Sequence, residues 1–172
     1  MEALDEVQEN SHHASSSFDK RVAVTMAVIA AALAIVSVLG HIESTEELLN
    51  QQRASDQWAF YQAKSIRRYQ SEVARDVLAG LGKSEAAKQY AANMERYQKE
   101  SEEIQVEAKK LQSESDFAGR KALRLHFGEV FLEIAIVFAS LAILTKRTLL
   151  WMTAMGSALI GLATAATQML VR

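Results

Sequence analysis

The sequence predicts an all-α membrane protein with three transmembrane helices and a long antiparallel coiled-coil hairpin between the first and the second. Three observations support this fold class. The apolar residues of the 172-residue chain are concentrated in three blocks, and the segment between the first two blocks is densely charged. The chain contains no proline, and good helix formers fill its polar middle. That polar middle also repeats small and apolar residues with heptad spacing.

The composition excludes several classes of protein and site. The absence of cysteine excludes disulfides and thiolate metal sites. Residues 41–126 contain 14 acidic and 14 basic side chains, so the basic footprint of a nucleic-acid-binding protein is missing. The chain has no glycine-rich phosphate loop, no G-x-S-x-G turn and no H-E-x-x-H helix. We therefore expect a non-catalytic protein with no cofactor and no bound metal.

The first span is predicted at residues 22–40, after a polar leader at residues 1–21. Its stretch Val22–Leu39 offers 18 residues without a charge, enough to cross a bilayer core. The leader is long and acidic and no clear cleavage site follows, so an uncleaved anchor is favoured over a signal peptide. His12 and His13 lie in this leader, but adjacent residues do not share a helical face, which argues against a metal site there.

Residues 41–126 are predicted to form the hairpin, with its turn near residues 80–83. Gly80 and Gly82 can end a helix in the left-handed conformation, and Ser84 can begin the next helix. Both arms carry heptads. In the second arm the a positions are Ala87, Met94, Ser101, Ala108, Ser115 and Ala122, and the d positions are Tyr90, Tyr97, Ile104, Leu111, Ala118 and Leu125. In the first arm the a positions are Ile42, Leu49, Asp56, Ala63, Gln70 and Val77, and the d positions are Thr45, Gln52, Ala59, Ile66, Val73 and Gly80.

A second stripe on the first arm lies off this seam and contains Trp58, Tyr61, Ser65 and Tyr69. A two-helix hairpin buries one face of each arm, so these aromatics predict contact with another copy of the chain or with an unidentified protein. The alternative is that Trp58 and Tyr61 widen the hairpin core. Asp56, at an a position, is interpreted as a polar seam residue that sets register or oligomer number rather than as a ligand site.

The last two spans are predicted at residues 127–145 and 149–171, joined by a tight connection at Lys146, Arg147 and Thr148. Small residues at Ser157, Gly161 and Ala165, with Ala27 and Ala31 in the first span, suggest close helix contacts. Trp151 is placed as an interfacial anchor.

Orientation follows from the basic residues near the short segments. Lys20, Arg21, Lys146 and Arg147 fall on one side, and Arg120, Lys121, Arg124 and Arg172 fall on the other. Because the long loop weakens the positive-inside rule, the two short segments are weighted more heavily and placed in the cytoplasm. The hairpin is then expected to be periplasmic or external.

Three ionisable residues near the second span, His126, Glu129 and Glu133, share one helical face. Three interpretations remain open. The carboxylates could be solvated or paired, for example with Arg124 or with a neighbouring chain. They could line a water-filled passage for cations or protons in an oligomer, since intramembrane acids face protein or water. With His126 they could also bind a metal, although pairing and conduction are favoured.

The stretch "RASDQWAFYQAKSIR", residues 53–67, between an N-terminal span and a charged hairpin with two closing spans, resembles a bacterial membrane family catalogued as domain of unknown function 4337. The resemblance covers nearly the whole chain, and the cluster Asp56, Gln57, Trp58, Tyr61, Gln62 and Lys64 is its most specific part. It implies a bacterial inner-membrane location and three spans. It implies no activity, cofactor or catalytic residue.

Together these observations predict a homo-oligomeric, lipid-embedded scaffold or docking protein. The alternative is a homo-oligomeric cation or proton channel lined by Glu133 and Glu129.

Overall fold

The computed structural model describes residues 17–170, and this part of the chain is helical and without strands. Helix α1 is Ser17–Gly80, α2 is Ser84–Thr145 and α3 is Thr148–Ala166, followed by a 3-10 turn at Thr167–Leu170. The predicted all-α class is confirmed. Most of the predicted leader, with His12 and His13, lies outside the described residues, as do Val171 and Arg172.

Each of the three predicted spans falls in a helix that is long and apolar enough to cross a membrane. The first span forms the start of α1, and the second forms the end of α2. Both continue into the hairpin arms without a break, because neither arm contains a proline and Gly119 alone does not stop a helix. The chain divides into two compact units, an apolar unit of described residues 17–44 and 120–170 and a hairpin unit of Thr45–Gly119.

The core of the apolar unit is built from small and branched side chains on all three helices. Leu125, Leu132 and Val22 are among its most completely buried side chains. Alanines fill much of the remaining contact surface of α2 and α3, which lets the helix backbones approach closely. The predicted small-residue contact on α3 is confirmed, since Gly161 and Ala165 are buried against Gly128 of α2.

A side-chain hydrogen bond and a charged side chain complete the contact between α2 and α3. The Ser157 hydroxyl donates to the Phe131 carbonyl at 2.7 Å, so a polar group within the apolar core is satisfied. Arg124 donates to the Thr167 carbonyl at 2.8 Å, near the C-terminal end of α3, where carbonyls lack helical partners. In contrast, Ala27 and Ala31 lie on an exposed face of α1.

The turn of the hairpin contains a glycine in the left-handed conformation, as the sequence predicts. Gly82 has a φ of 73°, the left-handed region that glycine enters at little cost. The Gly82 amide donates to the Ala79 carbonyl at 3.0 Å, and the Lys83 amide donates to the Leu78 carbonyl at 2.9 Å. This pair of bonds is the Schellman motif that commonly ends a helix at glycine.

The predicted register of the second arm is confirmed, and that of the first arm is wrong. In the second arm the a positions Ser101, Ala108 and Ser115 are buried. In the first arm every predicted a and d position is exposed in the single chain. The face that pairs with the second arm instead carries buried or half-buried residues at Glu47, Asn50, Ala54, Gln57, Tyr61, Lys64, Arg68, Ser71, Arg75 and Leu78.

The side chains of the second arm explain which face of the first arm pairs with it. Its small a-position residues bring the arms close together, which favours small partners such as Ala54 and Ser71 on the facing side. That side also makes polar contacts with the second arm. The Ser115 hydroxyl donates to the Glu47 carbonyl at 2.9 Å, and the ammonium of Lys64 pairs with Glu100.

Candidate functional site

A polar cluster joins α1 and α2 within the apolar unit. The Nε2 atom of His126 lies 3.1 Å from the Ser44 hydroxyl, and its Nδ1 atom lies 3.2 Å from an Oε2 oxygen of Glu129. Ser37, two turns before Ser44 on α1, donates a hydrogen bond to the same carboxylate. His126 and Glu129 therefore contact each other, and both have partners on the facing helix.

The geometry of the imidazole determines its hydrogen-bonding roles. An ionised Glu129 carboxylate can only accept, so Nδ1 must carry the proton that it shares with Glu129. In a neutral ring Nε2 is then the acceptor of the Ser44 hydroxyl proton. Gly40 of α1 packs against the ring, since a Cβ atom built there would lie 3.4 Å from His126.

The order Ser44–His126–Glu129 is that of a serine-hydrolase triad, in which free hydrogen-bond donors, most often backbone N–H groups, also stabilise the oxyanion. All three residues lie inside continuous helices, where the backbone N–H groups bond within the helix. The cluster is thus suited to holding α1 and α2 together and to passing a proton along a short chain.

Glu133 lies one turn beyond Glu129 but has a different environment. Its side chain is exposed on the outer surface of the single chain, and no hydrogen bond or ion pair reaches it from residues 17–170. The neighbouring side chains Val130, Ile134 and Val137 are exposed as well. A carboxylate on such an apolar face is costly in lipid unless water or another chain covers it.

The metal and Arg124 interpretations of these carboxylates are not supported by the single chain. Within residues 17–170, no three histidine, aspartate or glutamate side chains lie close enough to hold a metal ion. Arg124 is directed to the Thr167 carbonyl of the 3-10 turn. The groups that the structure places next to Glu129 are instead His126 and Ser37.

The predicted partner-contact residues of the hairpin unit lie in two different environments. Trp58 and Tyr61 are half-buried on the pairing side of the first arm and stack edge to face, with ring centroids 5.6 Å apart. Asp56 and Tyr69 are exposed, and the Arg68 guanidinium lies 4.6 Å from the centre of the Tyr69 ring. The half-buried positions favour the interpretation in which Trp58 and Tyr61 widen the hairpin core.

The correction of the first-arm register reveals a second heptad stripe, which residues 17–170 leave exposed. We call it the open seam and define it by Leu49, Asp56, Ile66, Val73 and Val77. Its apolar side chains are about half or more exposed, with Ile66 at 56% and Val73 at 63%. A row of exposed apolar side chains is unusual on a soluble surface, so the open seam is the main candidate interaction surface of the hairpin unit.

Charged contacts hold the pairing side of the arms. Lys64 pairs with Glu100 and its ammonium also lies 5.5 Å from the centre of the Tyr97 ring. The hydrogen bond from Lys64 is the main cause that holds the pKa of the Glu100 carboxyl below its ordinary value of 4.5, and desolvation opposes it. The charges of Lys64, Arg96 and Arg67 act in the same direction as the hydrogen bond.

Sequence reasoning missed Ser37, Gly40 and Ser44 as members of the polar cluster. Their spacing of three and four residues, one helical turn each, was the available signal, because it places all three on one face of α1. Without knowledge of which face meets α2, that signal does not distinguish them from other small residues of the span.

Comparison with known proteins identifies a family but no characterised relative. No curated protein and no solved structure matches the chain. A family model, described as a domain of unknown function, matches residues 18–171 and so covers all three helices. The resemblance inferred from residues 53–67 is thereby confirmed, and the chain belongs to the DUF4337 family.

Proposed function

We propose that the protein is a non-catalytic scaffold of the bacterial inner membrane that assembles with copies of itself through its spans and its hairpin. The single observation that carries this proposal is the open seam, a heptad stripe left exposed along the first arm. Heptad stripes of this kind are buried when helices pair, and a second copy supplies a stripe of matching length and spacing.

The polar residues of the open seam fit a partner of the same sequence. Asp56 interrupts the apolar a positions, which in coiled coils restricts register and oligomer number. Arg53 lies one turn before Asp56 and is exposed beside the seam, so it is placed to offer a counter-charge to Asp56 of a second copy. Tyr69 adds an exposed aromatic ring next to Ile66 and Val73. The same surface would also suit a different helical protein, which remains the alternative occupant.

In this proposal all three helices cross the bilayer, and the hairpin lies on the periplasmic or external side. The length and composition of the helices support the crossing, and Lys20, Arg21, Lys146 and Arg147 beside the short segments support a cytoplasmic position for those segments. Because the chain has no cysteine, single Ser84→Cys and Thr148→Cys variants can report orientation without background. An impermeant maleimide applied to spheroplasts should label Ser84→Cys only, and labelling of Thr148→Cys alone would reverse the orientation.

The assembly is tested by the mass of the purified protein in lipid nanodiscs. The double variant Ile66→Gln/Val73→Gln should lower that mass, because it replaces two apolar seam residues by polar ones that still favour helix. Val106→Gln is the control, since Val106 is at least as exposed as Ile66 and Val73 but lies on the second arm. A wild-type monomer would contradict the proposal, and so would a double variant with unchanged mass.

The second candidate function is a homo-oligomeric cation or proton channel, and the exposed position of Glu133, which has no partner among residues 17–170, favours it. If copies assemble around this face, a ring of carboxylates would line a passage. Glu133→Gln should then abolish ion flux in proteoliposomes and leave the mass unchanged. Wild-type vesicles without flux, or flux that survives the substitution, would leave the scaffold as the better account.

A further inference from the structure

A shallow, open groove lies between the start of α1 and the start of α3, within the apolar unit. Its lining residues are Ser17, Lys20, Arg21, Val24, Thr25 and Trp151. The surface inside it is almost entirely apolar, whereas Lys20 and Arg21 are exposed cations at its edge.

The indole of Trp151 has a defined position in this groove. Its Nε1 atom donates to the Thr25 hydroxyl at 3.1 Å, and that hydroxyl donates in turn to the Val22 carbonyl at 2.8 Å. The Phe18 ring packs edge to face on the indole, with centroids 6.2 Å apart. Because these contacts hold the ring, the groove exists before any ligand arrives, which reduces the ordering cost of binding.

The groove changes from charged to apolar along the helix axis. Val24 lies four residues after Lys20 and three after Arg21, so it is about one turn, roughly 5 Å, further along α1. Val24 is 65% exposed and has the indole of Trp151 beside it. A molecule with an anionic head and an apolar tail is complementary to a surface that changes from positively charged to apolar in this way.

The charge around the groove is positive. Lys146 and Arg147 lie in the connection just before α3, and Asp19 is the acidic residue next to Lys20. The Asp19 carboxylate accepts a hydrogen bond from Lys146, so a cation outside the groove supplies its counter-charge. Arginine and lysine together suit a phosphate, because the guanidinium can bind two oxygens and the ammonium adds a point charge.

We propose that this groove binds an anionic phospholipid, with its phosphate at Lys20 and Arg21 and an acyl chain along Val24 and Trp151. A lipid is favoured over a free anion because the interior of the groove is apolar. This proposal rests on the proposed membrane insertion, and it adds a specific lipid site to that insertion. Interfacial tryptophan and basic residues beside a span are the usual groups that meet lipid headgroups.

The test uses quenching of Trp151 fluorescence by brominated lipids in vesicles. Trp58→Phe provides the background, because Trp58 is the other tryptophan and lies in the hairpin unit. At equal mole fraction, brominated phosphatidylglycerol should quench Trp151 more strongly than brominated phosphatidylcholine. Each cation is expected to contribute about a fivefold preference for phosphatidylglycerol over phosphatidylcholine. The double variant Lys20→Gln/Arg21→Gln should lose this preference, while its quenching by brominated phosphatidylcholine should be unchanged.

The matched control is Arg147→Gln, which removes a nearby cation that does not line the groove. It should keep the preference for phosphatidylglycerol. Equal quenching by the two lipids in the background protein would overturn the site. If Arg147→Gln lost as much of the preference as the double variant, general surface charge would account for the lipid preference, and the site would be overturned as well. Quenching by neither lipid would overturn the membrane insertion itself, which distinguishes the two failures.

Discussion

Gly128 of α2 and Gly161 of α3 lie so close together that a Cβ atom added to either would be 2.8 Å from the carbonyl oxygen of the other. Real Cβ atoms do not approach backbone this closely, so the two helices depend on the missing side chains at this crossing. In membranes, where lipid is as apolar as the helix surface, such close backbone packing is a main source of helix association.

Gly161→Ala should therefore loosen the contact between α2 and α3. The added methyl group meets backbone that cannot rotate away, and overpacking of this kind costs about 1–3 kcal/mol. Thermal unfolding in detergent should show a lower midpoint. Gly156→Ala is the control, because no atom lies within 4 Å of its added Cβ. Equal midpoints for the two variants would contradict the close contact.

Gly82→Ala should destabilise the hairpin turn. The left-handed conformation at this residue costs a side-chain-bearing residue roughly 1–2 kcal/mol, and the two turn hydrogen bonds depend on it. Hydrogen exchange of the amides around residues 75–90 should become faster. Gly80→Ala is the control, since it lies at the end of α1 with no atom within 4 Å of its added Cβ. Exchange that accelerates equally in both variants would argue against a special role for Gly82.

The hairpin unit should become less stable in acid because of Glu100. Its pKa is lowered in the folded protein, chiefly by the hydrogen bond from Lys64. A lowered carboxyl pKa stabilises the folded state above the ordinary value of 4.5, and that contribution is lost as the pH falls through the lowered pKa. Hydrogen exchange of the arms, corrected for intrinsic rates, should accelerate below that ordinary value in the wild type and accelerate less in Glu100→Gln.

The control for the acid effect is Glu103→Gln, because Glu103 is exposed on the same arm. It should keep the acid sensitivity of the wild type. If Glu100→Gln and Glu103→Gln show the same dependence on pH, the pair with Lys64 does not contribute to hairpin stability.

Trp58→Ala should weaken the hairpin core. The side chain is half-buried and stacks on Tyr61, and an aromatic pair contributes about 0.5–1.5 kcal/mol beyond its buried area. Hydrogen exchange within the arms should accelerate while the mass in nanodiscs stays unchanged. Phe60→Ala is the control, because Phe60 is an exposed aromatic on the same arm. A fall in mass with unchanged exchange would instead support the prediction that Trp58 contacts a partner.

Much of the fold was predictable because it depends on local properties of the chain. The lengths of the apolar runs indicate the three possible spans, and the lack of proline lets α1 and α2 continue from span to hairpin arm. Gly82 marks the turn because few other residues accept its φ. The register of the second arm was also predictable, since one stripe on it combines small and apolar residues.

The sequence by itself therefore determined the helices, the turn and the possible spans. Only the tertiary structure decided which stripe of the first arm faces the second arm, because that arm carries two stripes and the choice depends on the side chains of its partner. The same holds for the polar cluster, in which Ser44 and His126 are 82 residues apart. Periodicity describes one helix at a time, whereas a contact between helices depends on the shapes and hydrogen-bonding groups of both.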